Sequence, residues 1–227
     1  ENRQYQNHLE EMVASQVAEM TRMQDEVITG IANLIESRDG STGLHVKNTQ
    51  NYVQILTKAL REKGMYPDIL DHNYELNTVK ASVLHDIGKI KTPDAILLKP
   101  GRLTDEEFEV MKQHTVAGCE IIDRIIGNVE HEEYVDIARK IARYHHERWD
   151  GTGYPDGLSG EEIPLCARIM ALADVFDALY QDRCYKKAIR PASKVFEIIK
   201  ENSGSQFDPN LTEIFLELQR EITDISE

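Results

Sequence analysis

The sequence predicts an all-α protein on three observations. Apolar residues recur three and four apart along most of its length, helix starts carry capping signals, and no window alternates apolar and polar residues with period two. A chain of 227 residues can bury one substantial core, so one main domain with a short appendage is the expected organisation.

Taken in order, the first element is a long amphipathic helix, with Leu9, Val13, Met20, Met23, Val27 and Leu34 at helical spacing and no proline between them. Packing of that stripe on the domain suits its C-terminal half. A two-stranded coil leading to an upstream segment suits the polar start, "ENRQYQNHLEE", and the expected division is a coiled-coil or linker helix over 1–26 and the main domain over 27–227. Further helices are predicted over 45–63, 73–87, 105–126, 132–147, 165–180, 192–202 and 209–221. Thr104 with Glu107 reads as a capping box, and Asp208 followed by Pro209 as an N-cap with proline in the first turn. Between them runs a long non-helical insert, 148–164, rich in glycine and containing the turn sequence "YPDG". A connection of this length on a helical scaffold is often a binding element.

Composition narrows the function. A net charge of −14 opposes long nucleic acids, although a local Arg and Lys cluster can still hold a small anion. No apolar run is long enough to span a bilayer. The cysteines, Cys119, Cys166 and Cys184, are odd in number and widely spaced, which disfavours a disulfide framework and a thiolate zinc site and points to a cytoplasmic location. The start at Glu1, without a leader, reads as an internal piece of a longer polypeptide.

The chemistry gathers in "VLHDIGKI" and "YHHERWDGTGYPDG". Burying His85 and Asp86 beside Val83, Leu84 and Ile87 is costly unless a metal or hydrogen bonds compensate. An isolated His–Asp pair is commonly a satisfied structural pair. Of the eight histidines, however, His45, His85, His114, His145 and His146 fall in or at the ends of predicted helices, and Asp174 lies in the apolar run "RIMALADVFDALY". A set able to fill two coordination spheres argues for function. Adjacent helical side chains point about 100° apart, so His145 and His146 can face different positions of one cluster. Imidazole and carboxylate donors suit iron, manganese, nickel or zinc. A two-metal site can activate water and stabilise both attacking and leaving oxygens in phosphodiester hydrolysis.

"HDIGK" together with "HHERWDGTGYP" resembles the HD-GYP family, a branch of the HD-domain metal-dependent phosphohydrolases. The likeness extends from Val27 to Phe215 and includes "PDAILLKPGRLTDEEFEVMKQH", "GEEIPLCARIMALADVFDAL" and "GSQFDP" in the family's order. It implies a helical HD-domain bundle with extra helices, preceded by the long N-terminal helix.

The resemblance further implies metal ligation by His45, His85, Asp86, His114, His145, His146 and Asp174, with Asp86 bridging two divalent ions, iron or manganese first and nickel or zinc as alternatives. Lys89 matches a lysine near the scissile phosphate; otherwise it is a solvated cation ending a helix. Gly153, Tyr154 and Pro155 match the GYP triplet, with a substrate-side or partner-binding role, whereas Trp149 is read as packing the loop. In the basic patch of Arg183, Lys186, Lys187 and Arg190, the first two match substrate-phosphate contacts. Asp177 is either an acceptor that orients a ligand or part of a helix–helix hydrogen bond, and His8, His72 and His131 are read as surface residues. Two positions depart from the pattern: Ser41 stands where some members carry a glutamate that helps hold a third metal, and Leu44 where glycine is common.

The expected activity is hydrolysis of cyclic di-GMP to linear pGpG, with onward hydrolysis to GMP left open. Alternatives are another cyclic or a linear dinucleotide, or a non-catalytic module that senses the dinucleotide or binds a partner through the GYP loop. The long helix suggests a homodimer and an upstream receiver or sensor domain in the same chain.

Overall fold

In the computed structural model, which describes residues 2–39, 44–127, 132–181 and 188–226, the chain is helical and no strand occurs among the described residues beyond one isolated bridge between Ser203 and Phe207. The helices are α1 (Asn2–Glu36), α2 (His45–Glu62), α3 (His72–Ala81), α4 (Asp94–Leu97), α5 (Asp105–Ile126), α6 (Glu132–Tyr144), α7 (Leu165–Tyr180), α8 (Ala192–Glu201), α9 (Pro209–Glu217) and α10 (Gln219–Ser226). The all-α expectation holds. Both capping signals are realised: Thr104 and Glu107 bond reciprocally at the start of α5, and the Asp208 carboxylate accepts from the Asn210 and Leu211 amides at the start of α9.

The core is organised around α7, which is apolar on nearly all sides and packs against α2, α6, α8 and α9. Ile169, Met170, Leu172 and Phe176 of α7 meet Tyr52, Leu56 and Leu60 of α2, Ile141 of α6 and Phe215 of α9, all fully buried. Each such side chain contributes roughly 1.5–3 kcal/mol by leaving water. The Phe176 ring lies edge-on to Tyr52 at 5.1 Å and beside Phe196 at 5.0 Å, which ties three helices to one point.

Three helices differ from the sequence expectation, and the one expected over 209–221 is broken at Leu218 into α9 and α10. The helix expected over 73–87 ends at Ala81, and the chain continues in tight 3₁₀ turns at Ser82–Leu84 and Ile87–Lys91, with His85 and Asp86 between them. Within the second of these turns the backbone presses onto α5: a Cβ on Gly88 would lie 1.8 Å from the His114 carbonyl oxygen and 2.5 Å from the Gly118 amide. The helix expected over 132–147 ends at Tyr144, leaving His145 and His146 in the following turn.

The packing face of α1 is also a correction. Ile28, Ala32 and Ile35 pack on the domain, whereas Val27 and Leu34, placed in the packed stripe by their spacing, are 56% and 70% exposed. Farther out, Leu9, Val13, Met20 and Met23 are exposed as well, and the helix passes position 26 without a break. Among the described residues no helix is long and apolar enough to cross a membrane.

Candidate metal centre

Five elements deliver side chains to one buried point. His45 is the first residue of α2, His85 and Asp86 lie between the two 3₁₀ turns, His114 sits midway along α5, His145 and His146 follow α6, and Asp174 is on α7. Apart from His146, which is half-buried, each of these residues is at most 9% exposed.

The orientation of the rings follows from ordinary hydrogen bonds. His85 Nδ1 donates to the Ser82 carbonyl at 2.9 Å, His114 Nδ1 to the Met111 carbonyl at 2.7 Å and His145 Nδ1 to the Ile141 carbonyl at 2.9 Å. A carbonyl can only accept, so Nδ1 carries a hydrogen and each Nε2 turns inward toward Asp86, where it could ligate a cation once free of its own proton. His45 is oriented by the buried Asp177 carboxylate, which accepts its Nδ1–H at 2.7 Å and is itself held by Asn48 at 3.2 Å. Asp177 thus both faces the His45 ring and joins α7 to α2 by hydrogen bonds, so its contacts accommodate both roles expected for it.

Asp86 stands between two sets of these nitrogens. Its Oδ1 lies 3.3 Å from His114 Nε2 and 3.7 Å from His145 Nε2, while its Oδ2 lies 3.2 Å from His85 Nε2 and 2.7 Å from Lys89 Nζ. On the other side, His45 Nε2 is 3.3 Å from His85 Nε2 and 3.5 Å from Asp174 Oδ1. Two groups, Asp86 with His114, His145 and His146, and Asp86 with Glu36, His45 and His85, each bring one ligand atom per residue within 4.8 Å of one another.

The electrostatics match a cation centre. Burial opposes charge on Asp86, but Lys89 and His85 hold its carboxyl well below the usual range. Burial likewise opposes charge on His85, yet Asp86, with Asp174 and Glu36 beyond, pushes it up to about 9. Burial takes His114 down to about 4, and burial with the neighbouring imidazoles holds His146 low. The residues fit bound metal: Asp86 Oδ1, His114 Nε2 and His145 Nε2 are buried without a hydrogen-bond partner, and such atoms are costly unless something fills the space between them.

A cavity of about 500 Å³ opens beside this cluster, lined among others by Asp86, Lys89, Lys99, His146, Tyr154 and Asp174. The Tyr154 ring lies 4.9 Å from His146 and edge-on to Phe108 at 5.9 Å, and burial keeps its phenol protonated. The loop that carries it is ordered by Glu147, whose buried carboxylate accepts from the amides of Asp156, Gly157 and Leu158 at 2.8, 3.0 and 3.1 Å. Gly153 allows the loop to fold back, since a Cβ there would meet the Arg148 amide at 2.3 Å. Trp149 packs as expected: its amide donates to the Gln206 carbonyl, and the Arg168 guanidinium sits over its ring at 5.8 Å.

Thus His45, His85, Asp86, Lys89, His114, His145, His146, Tyr154 and Asp174 come together. Arg183, Lys186, Lys187, Ser41, Cys184 and His131 lie outside the described residues. Arg190 stacks on Tyr180 at 3.8 Å, and His8 and His72 are at the surface. Sequence reasoning missed Glu36 and Glu147. Glu36 falls one residue after Ile35 and four after Ala32, on the face that α1 buries, a face that spacing alone does not identify.

An all-helical scaffold that gathers five histidines and two aspartates at a buried point forms a His–Asp cluster that could hold metal. A family profile described as HD domain matches residues 7–211, and the chain belongs to the HD-domain family, in its HD-GYP branch. It is 42% identical over 224 residues to a probable cyclic di-GMP phosphodiesterase of Vibrio cholerae, covering 97% of this chain and 50% of the relative. A cyclic di-GMP phosphodiesterase of the same organism is 44% identical over 211 residues, 92% of this chain and 42% of the relative. Among solved structures, a cyclic GMP-AMP-specific phosphodiesterase of V. cholerae superposes with a TM-score of 0.57 at 19% identity, over 88% of this chain and 52% of that one. The chain spans about half the length of the curated relatives it matches.

Proposed function

We propose that this chain is the hydrolytic domain of a metal-dependent cyclic di-GMP phosphodiesterase that opens one phosphodiester to give linear pGpG. The observation that carries the reading is the division of Asp86 between two nitrogen sets, one oxygen toward His114 and His145 and the other toward His85. That arrangement suits a pair of divalent ions that His45, His85, Asp86, His114, His145, His146 and Asp174 would hold, with Asp86 the carboxylate shared between them. Iron or manganese is the first expectation, and nickel or zinc also suits these donors. When bound, the pair supplies Lewis acidity and an activated water.

The chain's own residues do the rest. Lys89, beside Asp86 at the cavity, offsets charge that develops on the phosphoryl oxygens. Tyr154 forms a neutral wall over His146 against which a sugar or base can lie. Arg183 and Lys186 are proposed as phosphate contacts on their sequence positions. The cavity falls in the size range of small-ligand sites, roughly 300–1,000 Å³. Another cyclic dinucleotide is the second reading, supported by the similar fold of a cyclic GMP-AMP-specific enzyme.

The greater length of the relatives supports an additional receiver or sensor domain in the same polypeptide, and a cytoplasmic location follows from the substrate class. The exposed residues Val13, Met20, Val27 and Leu34 recur every seven positions, which supports a homodimer through α1; a protein partner at the GYP loop remains part of the proposal.

The test is anaerobic purification with metal quantification, then incubation with cyclic di-GMP and chromatography of the products. About two metals per chain with pGpG or GMP supports the reading. Metal without turnover of cyclic di-GMP but with turnover of another cyclic dinucleotide moves the assignment to that substrate, and absence of both metal and turnover favours a binding module.

A further inference from the structure

Glu36 is a buried acid in an otherwise apolar position. It ends α1, is 2% exposed, and follows Ala32 and Ile35 on the face that packs against the domain. An acid in such a place is costly without a specific partner. Its Oε1 lies 3.3 Å from Lys89 Nζ, which also lies 2.7 Å from Asp86 Oδ2, and the lysine side chain is 12% exposed. The ammonium is thus held from two sides by carboxylates on different elements.

The backbone of the same lysine is tied to the same helix end. Arg38, two residues beyond Glu36, donates to the carbonyls of Lys89 at 3.3 Å, Ile90 at 3.2 Å and Thr92 at 3.4 Å, and to the Asp94 carboxylate at 2.6 Å. Both the main chain and the charged tip of Lys89 therefore take their position from the last turn of α1 and the residues just after it.

We propose that Glu36 is a positioning residue for Lys89, holding its ammonium beside Asp86 at the cavity so that the end of the long N-terminal helix sets where this cation stands. The proposal rests on the phosphodiesterase reading for the use made of Lys89, but not for the holding itself. A lysine side chain is long and rotates freely, and Glu36 adds a second carboxylate contact to the one from Asp86. The competing role for Glu36 is direct metal ligation, since one of its oxygens lies within 4.8 Å of ligand atoms of His45, His85 and Asp86. The two roles differ in what they do to metal content.

The experiment compares wild type with Glu36→Gln, Lys89→Met and the double variant, all metal-loaded. Glu36→Gln is expected to keep the wild-type metal content, to lower kcat by about 10²-fold with little change in KM, and to add nothing to the loss from Lys89→Met in the double variant. Independently of turnover, acetic anhydride labelling of Lys89, followed by mass spectrometry, is expected to be several-fold faster in Glu36→Gln. Loss of metal from Glu36→Gln, additive losses in the double variant, or unchanged labelling of Lys89 overturns the proposal. If wild type hydrolyses no cyclic dinucleotide, the phosphodiesterase reading fails, and the labelling rate alone decides whether Glu36 holds Lys89.

Discussion

The backbone of Gly88 stands directly against the carbonyl of His114, so close that a Cβ on Gly88 would lie 1.8 Å from that oxygen. This contact brings the segment bearing Asp86 onto α5 and lets Asp86 Oδ1 face His114 Nε2 at 3.3 Å. Gly88→Ala must push the two elements apart. The expected cost is about 3 kcal/mol or more, a fall in melting temperature of about 10 °C, with weakened metal retention; a variant with wild-type stability and metal content would show that the approach is dispensable.

Asp86→Ala removes the carboxylate shared by both nitrogen sets. We expect loss of at least about one metal equivalent per chain and turnover at background. Elemental analysis and product chromatography check this, and full activity in the variant would defeat the bridging assignment. Chelation of the wild type is expected to lower its melting temperature, because a ligand bound only by the native state stabilises it.

Asp177 reaches the centre through His45, accepting its Nδ1–H at 2.7 Å. Asp177→Asn keeps the volume but weakens the acceptor, so metal affinity is expected to fall about tenfold or more, measured by competition with a fluorescent chelator. Unchanged affinity would reduce Asp177 to a helix–helix contact.

Glu147→Ala strips the acceptor from three loop amides at Asp156, Gly157 and Leu158. The expected loss of stability is modest, about 1–2 kcal/mol, because water can reach the exposed ends of the loop. Substrate affinity should fall while metal content stays constant, since Tyr154 loses its support but no ligand moves.

For α1, removal of the residues before Val27 is expected to give a monomer by light scattering. A truncated chain that stays dimeric rules out the part of α1 before Val27 as the only dimer contact.

Much of the fold was legible because helices imprint their period on the sequence and mark their ends with short-range hydrogen bonds, as Thr104 with Glu107 and Asp208 with Pro209 do here. The face of α1 that packs was not. Val27 and Leu34 lie on one apolar stripe and Ile28, Ala32 and Ile35 on another, and spacing does not say which of the two meets the domain. Glu36 was passed over for the same reason, since an acid ending an amphipathic helix looks solvated until the buried face is known.

By itself, the sequence determined the helical class, the inventory of imidazoles and carboxylates and the family to which they belong, because these depend on residue type and near-neighbour spacing. Only the tertiary structure decided that Asp86 is divided between two nitrogen sets, that the carbonyls of Ser82, Met111 and Ile141 turn three Nε2 atoms inward, and that Glu36 reaches Lys89 across 53 positions. Such relations depend on distances between remote segments, and those distances are set by how α2, α5, α6 and α7 pack around one core and by the close approach that Gly88 allows between two backbones.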